Sequence, residues 1–233
     1  MLLCITHNET RKLPTEEITL DTAAGSLSAT LNVAEKATHV LLLAHGAGAD
    51  HLHSHMNALA SAFESQKIST LRFNFPFKQE GRNRVDSKAV SIDSISSAAA
   101  WLQENTALPL LAGGHSFGGR MATHAIVEKK LSCEALVLCS FPLHPAGKPS
   151  KSKERAAHLT DVTIPMFFLS GTRDSLANRD LLDSEIKKLG LPNRIHWLDT
   201  GVHSFKILKR SRKITMDIYA EAAKATREFI DEL

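Results

Sequence analysis

The sequence predicts an α/β fold in which a doubly wound, mostly parallel sheet carries helices on both faces. Three observations predict it. Short apolar runs such as "HVLLLA", "STLRFNF", "LPLLA", "EALVLC" and "IPMFFL" recur along the chain, as expected of strands buried on both faces. Between them lie segments with apolar residues at helical spacing. The loops that leave the strands are rich in glycine and in polar residues.

Taken in order, "EITLDT" and "SLSATLNV" read as a hairpin about Ala24-Gly25-Ser26. "HVLLLAHGAG" is a buried strand ending in glycines, "HMNALASAFESQK" a helix, and "STLRFNFP" a strand stopped by Pro76. Residues 76–88 read as a polar loop. Ile92, Ile95, Ala99 and Leu102 then share one helical face. "LPLLAGG" and "SFGGRMATHAIVEKK" form the next strand and helix, and "EALVLCS" another strand, followed by a Pro- and Lys-rich loop over 141–160. After "IPMFFLSG", Leu182, Ile186 and Leu189 mark a helix that Gly190 would close. "NRIHWLDTG" is the last strand, and Ile218, Ala222, Ala225 and Phe229 mark the last helix. No internal repeat or linker divides the chain, so residues 1–233 are expected to form one domain, and the 141–160 loop is too short for a separate cap domain.

Composition narrows the function. At 233 residues, 43% hydrophobic and 23% charged, the chain has the make-up of an ordinary globular protein. A net charge of +3, a single Tyr and no aromatic-interleaved basic run give no reason to expect a nucleic-acid partner. No stretch approaches the roughly 18 apolar residues of a membrane span, and the apolar start "MLLCIT" is too short for a signal-peptide core. Three cysteines, Cys4, Cys133 and Cys139, match no zinc spacing and fit free thiols in a reducing compartment. The expectation is a cytoplasmic protein with no membrane partner.

"GGHSFGGRM" at 113–121 decides between two kinds of chemistry. A phosphate loop would need Lys and then Ser or Thr after its last glycine, with the hydroxyl on magnesium. Here Arg120 and Met121 stand there, and a thioether is a poor ligand for a hard cation. The other reading is Gly114-His115-Ser116-Phe117-Gly118, a sharp strand-to-helix turn presenting a serine, with glycine where a Cβ would clash. Such a serine needs an imidazole to take its proton and a carboxylate to orient that imidazole. Asp174, 58 residues downstream in "SGTRD", and His203, 29 further on in "DTGVHSF", follow the last two strands in the order this architecture uses. The main-chain amides of Phe117 and of Ala47, in "AHGAG", would hold an oxyanion, with Gly46 and Gly48 easing the turn.

Competing residues have plainer readings. Asp161, Asp180 and Asp183 lie before a strand or on a helix, and His196 within a strand, as a packed histidine. His51, His53 and His55 alternate in "DHLHSHM" without an acidic ligand, which suits a solvated or rim role better than zinc. His45 reads as buried and structural. Phe77, Phe141 and Phe205 sit on the convergent loops and are candidate pocket residues, although packing beneath the loops explains them nearly as well. Arg82, Arg84, Lys148, Arg173 and Lys206 fit a solvated basic edge, with selection of anionic substrates the alternative.

On these residues the chain resembles the α/β-hydrolase superfamily over nearly its whole length, in the small branch near the dienelactone hydrolases. The motifs "LLLAHGAGAD", "LRFNFPF", "GGHSFGGRMA", "FPLHPAGKP", "GTRD" and "HWLDTGVHSFK" are similar to a family of small bacterial hydrolase-like proteins. That family also includes a testis-expressed protein and the hydrolase-like domain of a non-specific lethal complex subunit. The resemblance implies the fold and, by position, Ser116, Asp174 and His203. Dienelactone hydrolases use a cysteine nucleophile, so Ser116 argues against dienelactone cleavage. The expected activity is cofactor- and metal-independent hydrolysis of small carboxylic esters or thioesters. The alternative is an interaction module that has kept the fold.

Overall fold

The computed structural model describes residues 15–190 and 192–233; Cys4 and the apolar start at residues 1–6 lie outside them. The hairpin is β1 (Thr15–Thr22) and β2 (Gly25–Asn32), joined by a tighter turn than expected, with Gly25 at φ 107° already in the second strand. There follow β3 (His39–Ala44), α1 (Ser54–Ser65), β4 (Ile68–Phe73), α2 (Pro76–Gln79), α3 (Lys88–Asn105), β5 (Leu110–His115) and α4 (Phe117–Val127). The chain continues through β6 (Ala135–Cys139), α5 (Ser152–Ala156), β7 (Met166–Gly171), α6 (Arg179–Lys187), β8 (Arg194–Leu198) and α7 (Ile218–Ile230).

The eight strands of the described residues join one sheet in the order β1-β2-β4-β3-β5-β6-β7-β8. β1 and β2 pair antiparallel, β2 meets β4 antiparallel, and every later pairing is parallel. Alternate side chains of the central strands divide between two cores. Leu42, Ala112, Leu138 and Phe168 face α3, α4 and α6, while Leu43, Leu111, Val137 and Leu169 face α1 and α7. No described helix is long and apolar enough to cross a membrane.

Three local expectations are corrected. Residues 76–88 open with a helical turn, because Pro76 at its start supplies a preset φ and lacks an N–H the turn would not use. The 141–160 stretch holds two 3₁₀ turns and α5, small pieces without a cap domain. α6 ends at Lys187, capped by Lys188 at φ −81°, so Gly190 plays no left-handed closing role.

Candidate active site

The bend between β5 and α4 is built by exclusion. Gly114, at φ +143°, lies so close to β3 that a Cβ would meet the Ala44 carbonyl oxygen at 2.1 Å, and one on Gly118 would meet the same oxygen at 2.5 Å. Only bare backbone lets the turn sit between its neighbours. Ser116 between them adopts φ 52°, ψ −111°, a conformation rare for a residue with a side chain. Its N–H donates to the Cys139 carbonyl at 2.8 Å, and its carbonyl accepts from Arg120 at 3.0 Å. The strain is thus held by β6 on one side and α4 on the other.

Asp174 and His203 arrive from the ends of β7 and β8. A Cβ on Gly171 would meet the Gly201 carbonyl oxygen at 2.2 Å, so the two loops touch through backbone. The Thr172 and Arg173 amides donate to the Leu198 and Gly201 carbonyls at 3.1 and 2.9 Å. The Asp174 carboxylate is sealed from solvent, whereas the His203 side chain remains 22% exposed. His203 Nδ1 lies 3.0 and 2.8 Å from the two Asp174 oxygens, and Nε2 lies 2.8 Å from Ser116 Oγ. A carboxylate only accepts, so Nδ1 carries the proton and Nε2 is free to accept from the serine hydroxyl. The Leu176 amide donates to Asp174 Oδ1 at 2.8 Å and fixes the carboxylate.

The loop after β3 lies directly against this bend. A Cβ on Gly46 would come 3.5 Å from Ser116 Cβ and 2.8 Å from His115 Nδ1, which is why glycine stands there. Gly48, in contrast, has open space around it and no unusual φ, so the expectation that it eases the turn is not met. The Gly46 carbonyl accepts from Ala49 N–H at 3.1 Å and from His45 Nδ1–H at 2.8 Å. The Ala47 N–H belongs to the same planar peptide and therefore points the opposite way. Among the described residues neither the Ala47 nor the Phe117 amide donates to a protein acceptor.

Two buried histidines frame the site. His45 also accepts from Phe75 N–H at 3.1 Å, and burial pushes its pKa down to about 4. His115 donates from Nε2 to the His203 carbonyl at 2.9 Å, and burial likewise lowers it to about 4. His45 was legible as buried; the role of His115 was not.

The remaining candidates fall elsewhere. Asp183 accepts from Trp197 Nε1 at 3.1 Å, and His196 pairs with Glu221 at 2.8 Å. The alternating histidines diverge: His51 bonds Asn74, His53 caps α1, and His55 bonds Tyr219. His51 and His55 are buried, which corrects the expected rim role. Phe77, Phe141 and Phe205 are at most 1% exposed, so none presents its ring to solvent. Phe117, packed edge-on to Phe75 at 5.4 Å, is the half-buried ring beside the serine. Arg82 is paired with Glu80 and Asp86, and Arg84, Lys148, Arg173 and Lys206 are exposed.

Solved structures share this architecture. A dienelactone hydrolase from Anabaena variabilis superimposes with a TM-score of 0.73 at 16% identity, over 95% of this chain and 99% of that one. A serine hydrolase without lid from Xanthomonas campestris gives 0.71 at 17% identity, over 94% of each chain. Est1E from Butyrivibrio proteoclasticus with bound ferulic acid gives 0.71 at 14% identity, over 92% of this chain and 98% of that one. At such identities the likeness is one of fold. Residues 37–231 match the alpha/beta hydrolase domain family, and the chain belongs to it.

Proposed function

We propose that the protein is a serine hydrolase that cleaves small carboxylic esters or thioesters through an acyl-enzyme on Ser116. The observation that carries this reading is the continuous hydrogen-bond path from Asp174 through His203 to Ser116 Oγ, with contacts of 2.8 to 3.0 Å. A scaffold has no need of such a path at a strained turn. Ser116 Oγ attacks the carbonyl carbon while His203 Nε2 takes its proton. Asp174 holds the imidazole in the tautomer this requires and stabilises its cation. The Ala47 and Phe117 amides donate to the oxyanion, each lowering the barrier by roughly 3–4 kcal/mol. The protonated His203 then gives its proton to the departing alkoxide or thiolate. Water, deprotonated by the same imidazole, releases the acid.

The short helical pieces over 149–161 leave the rim without a cap, which fits small or protruding substrates. No step calls on a metal or cofactor.

A serine-reactive fluorophosphonate and p-nitrophenyl acetate test the proposal together. The protein is expected to be labelled and to turn over the ester, and Ser116→Ala to lose both signals. An unlabelled, inactive wild-type chain would favour an interaction module. Undiminished labelling of Ser116→Ala would remove Ser116 as the nucleophile.

A further inference from the structure

Three residues after His203 the chain runs "KILKRSRKITM" over 206–216, a stretch without an acidic residue. Lys206, Lys209, Arg210 and Lys213 are all exposed there, and none pairs with a carboxylate among the described residues. The same stretch presents Leu208, Ile214 and Met216 at 45%, 39% and 41% exposure, three of the five large apolar side chains most open to solvent among the described residues. Scattered singly, such residues need no explanation. Here they are interleaved with cations on one short loop beside the candidate base.

The loop is pinned from within. Arg212 is the exception among its cations: its side chain is 3% exposed and donates to Glu221 and to the Asp199 carbonyl. The Lys213 amide donates to Asp199 Oδ2 at 3.0 Å, and the Ser211 and Arg212 amides close a turn on the Leu208 carbonyl at 3.0 and 3.1 Å. Asp217, the next acid along, is spent capping α7. The neighbouring carboxylates therefore anchor the loop and do not neutralise its tip.

We propose that residues 206–216 form a peripheral docking surface for an anionic lipid bilayer, which brings the rim that carries His203 to the membrane. Lysines attract the negative headgroup layer while aliphatic side chains enter the acyl boundary. The composition selects this occupant over others. A protein interface is depleted in lysine, whereas this loop has three exposed lysines. A single-stranded nucleic acid would want stacking rings, which this loop lacks. This surface requires no membrane-spanning helix. It stands independently of the hydrolase reading.

Co-sedimentation of the full chain with vesicles tests it. Vesicles of phosphatidylcholine with phosphatidylglycerol are expected to bind at least about tenfold more tightly than phosphatidylcholine alone, since several cations each contribute. Added salt should weaken the binding. Gln at Lys206, Lys209, Arg210 and Lys213 together should abolish the preference for anionic vesicles. Leu208→Ser, Ile214→Ser and Met216→Ser together should weaken binding about tenfold through lost apolar insertion. Both variants change exposed side chains only and should melt as the wild type does. Ser116→Ala should bind vesicles unchanged, which separates docking from catalysis. Equal binding to both vesicle types, wild-type binding by the triple serine variant, or equal competition by polyglutamate or single-stranded RNA would each overturn the proposal.

Discussion

His115 Nε2 donates to the main-chain carbonyl of His203 at 2.9 Å, so the residue before the serine holds the backbone of the histidine that reaches the serine. The same ring lies where a Cβ on Gly46 would stand, 2.8 Å from Nδ1. One imidazole therefore touches both loops that converge on Ser116. His115→Phe keeps a ring but loses the donor. It is expected to lower kcat about 10- to 100-fold with KM little changed, because misplacement of a reacting group by about 1 Å is that costly. His115→Gln, whose amide can reach the same carbonyl, should recover much of the loss. Thermal melts of both variants would separate this from unfolding, and equal kcat in the Phe and Gln variants would contradict the positioning role.

Asp174 is sealed, with both oxygens on His203 Nδ1. Replacement by Asn keeps the shape but offers an N–H where only an acceptor belongs, and so favours the wrong tautomer of His203. By analogy with serine proteases, kcat should fall by on the order of 10⁴-fold. Fluorophosphonate labelling should slow in parallel. A variant that retained wild-type turnover would show that His203 does not depend on this carboxylate.

The orientation of the Ala47 amide is set from the far side of its own peptide, where His45 and Ala49 hold the Gly46 carbonyl. His45→Phe removes one of those donors and frees the peptide to rotate. A fall in kcat of roughly tenfold is expected, up to the 10²–10³ associated with losing an oxyanion donor outright. The affinity for a boronic acid transition-state analogue should drop by a similar factor, while substrate KM stays nearly constant. Loss of kcat with unchanged analogue affinity would place the effect elsewhere.

How far the sequence revealed this site follows from the range of the forces involved. The bend at Ser116 was legible because steric exclusion acts locally: Gly114 and Gly118 are forced by the Ala44 carbonyl, and their spacing survives in the linear text. Asp174 and His203 were legible because each follows an apolar strand directly. The position of β4 between β2 and β3 was not, since periodicity reports burial and says nothing about which strand lies alongside. His115 and Phe205 illustrate the same limit. The first had no role assigned and the second was a candidate pocket residue, yet both are buried by partners elsewhere in the chain, such as His55 and Tyr219. Gly190 suggested a helix stop by its identity alone, but α6 had already ended at Lys187.

Burial of histidine also makes the fold sensitive to acid. Burial pushes His45 and His115 down to about 4 and His55 to about 3, against about 6.5 in an unfolded chain. Well above pH 6.5 all three are neutral in both states and contribute no pH dependence. As pH falls below that value the unfolded chain binds protons that the folded chain refuses, so stability declines until the folded values near 4 and 3 are reached. Each such group contributes a slope of up to about 1.4 kcal/mol per pH unit, so the three together approach roughly 4 kcal/mol per unit near pH 5. Against a total stability of about 5–15 kcal/mol, that is a substantial fraction lost in mild acid. Urea midpoints measured at pH 7, 6 and 5 should therefore fall steeply over the lower interval. In His55→Gln the proton uptake on unfolding should be smaller by about one, which flattens the dependence. A midpoint that stayed level from pH 7 to 5 would show that these imidazoles accept protons without leaving the core.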